Sequence, residues 1–242
     1  MQPSDPSASG KASSTDSFTV RVRTNFAVFH LRAAVDAALR TYKAEQQSKE
    51  GKQEDQTSRP QPPSNDILML VPVSVTMSGF SLEANVNEII QDILDGSTDL
   101  PVTEGRKELL IDFKKDRSGN SLEKYTKVAL LFDKIPDKGR SEWENAKLLV
   151  QFRNELAHFK PAWSSYSDGE NDTNKNNINL LKNNNLTIHP AYERTPRFPE
   201  ALMTYNNAKW SVNSVLKSSA LFCNLLNIKN RYEIPNFFSN LP

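Results

Sequence analysis

Apolar residues recur along this chain at helical spacing rather than in the alternation of strands. In SLEANVNEIIQDIL, Leu82, Val86, Ile89 and Ile93 lie four, three and four residues apart, which predicts a helix from about Val75 with Gly96 as its stop. From Pro199 onward, Ala201, Tyr205, Ala208, Val212, Val215, Ser219, Phe222 and Leu226 keep the same spacing, the seam of a long closing helix. A first helix is expected from Thr24 to about Glu45, where Phe26, Phe29, Ala33, Asp36, Ala37 and Leu39 keep the period only in part. Another opens at Ser121, carries Tyr125, Val128, Leu131 and Phe132, and ends at Pro136. The next takes Ser141 as N-cap, with Glu144 completing a capping box. It ends near Phe159, because Pro161 disfavours helical geometry in the residue before it. Ile67 to Val73 reads as an extended lead-in or a helix start, since Pro72 disfavours a central strand. About five helices with a closing seam predict an all-α antiparallel bundle.

Composition sharpens this picture at the ends and in the gaps. Only 37% of the chain is hydrophobic, below an average domain. Polar segments without period account for the shortfall. They divide the chain into a tail at 1–23, one domain at 24–228 with a linker at 45–66 and an Asn-rich insertion at 164–190, and a second tail at 229–242. Thirty basic and twenty-nine acidic side chains leave a net charge of +1, which gives no global electrostatic argument for nucleic acid or an anionic membrane, so any such binding would be local. The polar residues after Met1 argue against a secretory signal. The longest apolar run, Ile67 to Met77, is too short to span a bilayer. The single cysteine, Cys223, excludes an intramolecular disulfide and a cysteine-based zinc cluster. A cytoplasmic protein with no membrane association, no metal and no cofactor is expected.

Candidate chemistry concentrates in WENAKLLVQFRNELAHFKPAW. Leu149, Phe152, Leu156 and Phe159 form one apolar stripe, widened by Ala146, Val150 and Ala157, and Arg153 falls between Leu149 and Val150 on the wheel. A guanidinium cannot shed its charge, so this position calls for an anionic partner, a polar network or a ligand. Asn154 and His158 lie four apart and share a flank, where the amide can orient the imidazole. Arg153 sits about 140° around the helix from His158. A regular helix therefore does not join them, and either a distorted last turn or a second copy across a two-fold axis is needed. Lys147, Gln151 and Lys160 lie near the polar flank as candidate phosphate contacts. Trp143 and Trp163 read as packing residues, with base stacking as the alternative. Arg23 and His30 repeat a similar spacing and read as a coincidence.

The segment LLVQFRNELAHFKPAW resembles the signature helix of HEPN domains, helical bundles marked by an arginine, a polar residue and a histidine four to six positions after the arginine. SLEANVNEII is similar to an earlier helix of such proteins and NNAKWSVNSVLKSSALF to their closing helix, so the resemblance spans roughly Val75 to Ile228. Many HEPN proteins are metal-independent endoribonucleases that dimerise so that two motifs face one cleft, often as toxins paired with a nucleotidyltransferase-like antitoxin; others only bind nucleotides or partners. The resemblance implies Arg153 and His158 as a catalytic pair with Asn154 in support. It also implies cleavage of RNA, or defence against foreign nucleic acid, by attack of a 2′-hydroxyl on the adjacent phosphate. A non-catalytic helical module, with Arg153 closing a buried ion pair, is the competing expectation.

Overall fold

The computed structural model describes residues 23–50, 60–116, 120–159, 175–233 and 241–242. Among these residues there are seven α-helices and no strand: α1 (Phe26–Glu50), α2 (Asn65–Leu94), α3 (Glu104–Lys115), α4 (Ser121–Leu131), α5 (Ser141–Ala157), α6 (Lys175–Leu181) and α7 (Tyr205–Leu226). Two 3₁₀ turns, Pro190–Tyr192 and Glu200–Leu202, lead into α7. The all-α class holds, with more helices than the five expected.

The central element is α2, which packs against α1, α7, α5, α4 and α3. It begins at Asn65, capped by Ser64, so of the two alternatives for Ile67 to Val73 the helix start holds, and Pro72 lies inside the helix. The backbone hydrogen bond that proline forfeits is set against burial of Ile67, Val71 and Val75 on one face. By length and composition α2 could cross a membrane, in contrast to the short apolar run anticipated. Here Ile67, Val71, Val75, Leu82, Val86, Ile89, Ile90 and Ile93 belong to the bundle core, while Met69 and Val73 are exposed.

The face of α1 toward the core is built from Ala27, Leu31, Ala34, Val35 and Ala38, while Phe26 and Phe29 are exposed at 58% and 54%. The expected stripe had selected the large rings. The real contact is a small-residue face that lets two backbones approach. Ser81 and Ser74 of α2 donate their hydroxyls to the carbonyls of Ala27 and Ala34, at 2.7 and 2.9 Å. Because the numbers run in opposite directions, α1 and α2 are antiparallel.

The seam of α7 is confirmed: Tyr205, Ala208, Val212, Val215, Ser219, Phe222 and Leu226 are all buried. Its pairing with α2 is polar. Ser78 meets Ser211 at 3.1 Å, and the amide of Asn85 donates to Ser219 and to Tyr125 at 2.9 and 2.8 Å. Residue numbers rise together in these pairs, so α7 runs parallel to α2, and the bundle is mixed rather than uniformly antiparallel. A long connection between them removes the constraint that short loops impose.

Other boundaries moved. The helix α3 had not been anticipated; Thr103 caps it and only Leu110 among its residues is buried. α4 is capped by Asn120 and stops at Leu131. α5 begins one residue earlier than expected, with Arg140 in place of Ser141 at the N-cap position and no side-chain cap. Ser141 instead donates to Glu142, whose carboxyl is held below its usual range by its own backbone N–H and by Arg140. α6 falls within the Asn-rich insertion. Part of the C-terminal tail also belongs to the fold: Asn230 and Tyr232 are buried, and Arg231 pairs with Glu88 and Asp92 of α2.

Candidate functional site at the α2 and α5 contact

Arg153 lies where α5 crosses α2, and its side chain is 23% exposed against 53% for its partner Glu83. Nη2 donates to Glu83 Oε2 at 3.2 Å and Nη1 to Asn154 Oδ1 at 2.9 Å. The guanidinium carbon stands 4.7 Å from the centre of the Phe80 ring, within cation–π range. Thus the charge expected on the apolar face does have an anionic partner, at the open margin of the bundle rather than in its interior.

Gly79 makes this approach possible. A Cβ at that position would stand 3.0 Å from Cγ of Arg153 and 3.2 Å from its Cβ, tight enough that the Arg153 stem would have to shift by a few tenths of an ångström. The aliphatic stem of Arg153 lies on the bare backbone, and its head reaches Glu83 one turn further along α2.

His158 caps the C-terminal end of α5, with φ −110° and ψ 19°, and its side chain is exposed. Its backbone N–H donates to the carbonyl of Asn154 at 2.9 Å. The amide of Asn154, expected to orient the imidazole, instead spends its oxygen on Arg153. α5 stays helical to Ala157, so its last turn is not distorted to carry His158 round to Arg153. Among the described residues the two share no hydrogen bond.

Of the proposed phosphate contacts, Lys147 is exposed and Gln151 half-buried on α5; Lys160 lies outside the described residues. Trp143 is buried core, and Trp163 also lies outside the described residues. Phe159 leans on Phe198, which in turn meets Phe152.

Gly79, Phe80 and Glu83 went unrecognised as site residues, although a lone glycine inside a helical pattern is a sequence signal of close backbone approach. His30 was set aside as a chance match. It stands 5.7 Å from the Phe80 ring, centre to centre, and thereby joins the surface that Arg153 occupies.

Elsewhere, a cleft of about 620 Å³ opens at one end of the bundle beside Arg23, Asp92, Thr98, Lys229 and Arg231. A smaller one of about 230 Å³ lies between α5 and α7, lined by Glu142, Asn145, Lys209, Trp210 and Lys217. Among the described residues no group of three or more His, Cys, Asp or Glu side chains is placed to hold a metal ion. Burial pushes the Cys223 thiol up to about 11, so this cysteine is not poised as a nucleophile at neutral pH. Comparison with protein-family models, curated proteins and solved structures gave no match to this chain.

Proposed function

We propose that this chain is a HEPN-type, metal-independent endoribonuclease that works in the cytoplasm as a toxin or defence protein, with Arg153, Asn154 and His158 as its site. The observation that carries this reading is the polar margin of α5: an arginine held to its neighbouring asparagine at 2.9 Å, and an exposed histidine at the helix's C-terminal cap, four residues after that asparagine. Arg153 is preorganised to meet a phosphate, with Glu83 as the anion that phosphate replaces. His158 is free to reach a second surface. Since one regular helix keeps the two side chains on different flanks, a second copy of the chain completes the cleft. RNA and a like protomer are therefore the partners in this reading, with a nucleotidyltransferase-like antitoxin as a further one.

In the reaction, the 2′-oxygen of a ribose forms a bond to the adjacent phosphorus and the bond from phosphorus to the 5′-oxygen breaks. His158 carries the proton involved and Arg153 neutralises the charge gathering on the phosphoryl oxygens. The products are a cyclic phosphate and a 5′-hydroxyl end. Incubating wild-type and His158→Ala protein with mixed cellular RNA in chelator, followed by analysis of fragment ends, tests this. Cyclic phosphate ends from the wild type alone support it; equal cleavage by both proteins removes the role of His158.

A second reading rests on the same contact. The Glu83 pair and the Phe80 stack close Arg153 within the chain, as a non-catalytic interaction module would require. A folded wild-type dimer with no action on any RNA favours it.

A further inference from the structure

The surroundings of Arg153 include a row of flat groups that no catalytic role uses. Phe80 carries the Arg153 guanidinium 4.7 Å from its centre. His30 follows at 5.7 Å from Phe80, and Phe26 at 6.1 Å from His30, with the last two rings inclined by 32°. Phe26 and His30 are one turn apart on α1, Phe80 lies on α2 and Arg153 on α5, so three helices contribute to one chain of contacts. Its outer end is open, with Phe26 58% exposed.

We propose that this row is a stacking subsite for an unpaired base of RNA, an inference that rests on the ribonuclease reading above and places its substrate. A base has a π face that suits Phe26 and His30, while a phosphate further along the same strand reaches Arg153 beyond Phe80. Double-stranded RNA hides its base faces, so the subsite selects single strands. A second copy of the chain is the weaker occupant. Phe26 and the neighbouring Phe29, half exposed, offer together about 200 Å² of ring surface, well below the roughly 800 Å² per partner of a stable dimer.

The test uses full-length His158→Ala protein, which binds without cutting, and a labelled single-stranded oligoadenosine read by fluorescence anisotropy. Adding Phe26→Ala or His30→Ala should weaken binding about tenfold each, the loss of one stacking contact, with unchanged melting temperature. Adding His30→Phe should restore binding, because it keeps a flat face. Affinity for a duplex of equal length should change little. Unchanged oligoadenosine affinity in both alanine variants overturns the subsite and leaves the ribonuclease reading standing. A fall in oligomeric mass by light scattering, with RNA affinity intact, overturns it in favour of a protein interface. If the His158→Ala parent binds no RNA and the wild type cleaves none, both proposals fall together.

Discussion

The two polar faces of α2 solve different problems. Toward α7 it presents Ser74, Ser78 and Asn85, all fully buried, against Ser211 and Ser219. Toward α5 it presents Glu83, half exposed, against Arg153. The closed face uses neutral groups that hydrogen-bond one another, with Asn85 Oδ1 alone among them left buried without a partner, in an interior where a charge would be costly to desolvate. The open face uses a charged pair that water can reach. One helix thus combines a seam that fixes packing with a margin to which the proposed function assigns binding.

Substitutions on the two faces should separate them. Asn85→Ala removes two buried hydrogen bonds and leaves a cavity, so we expect about 2–3 kcal/mol of destabilisation in chemical denaturation. A loss well under 1 kcal/mol would mean that the closed face is not the packing device described. Gly79→Ala should cost about 1–2 kcal/mol, although alanine ordinarily gains up to about 1 kcal/mol over glycine in a helix. Stabilisation in a melting curve would show that Arg153 does not lie on the Gly79 backbone. Glu83→Gln on the open margin should change stability by less than about 1 kcal/mol while tightening RNA binding in a titration. Weaker binding would indicate that Glu83 holds Arg153 in place rather than competing with phosphate.

Alkaline pH probes the closed side through its phenols. Burial raises the pKa of Tyr125 and Tyr232, that of Tyr205 to about 12 and that of Cys223 to about 11. In the unfolded chain these groups ionise near 8.5 to 10. Their contribution is therefore complete below about pH 8 and declines as pH rises through the interval to about 12. Denaturation midpoints at pH 8 and pH 11 should differ in that direction, whereas equal midpoints would contradict the burial of the phenols.

Much of the closed side was legible in the sequence. Leu82, Val86, Ile89 and Ile93, and the α7 seam, were found because large apolar residues keep strict period. α1 was misread because its contact face is alanine, and period weighted by size chose Phe26 and Phe29 instead. α3 escaped because it buries only Leu110. At the candidate site Arg153 stood out as a charge among apolar neighbours, but its partners did not. Glu83 and Phe80 are some seventy residues away along the chain, and no local spacing announces a contact between helices.

The most direct test joins stability and cleavage in one variant, Arg153→Met, which keeps the apolar stem and removes the guanidinium. If the open margin serves a ligand, the variant should melt within a few degrees of the wild type and lose metal-free RNA cleavage by about a hundredfold or more. Wild-type cleavage retained by a folded Arg153→Met protein would contradict the account.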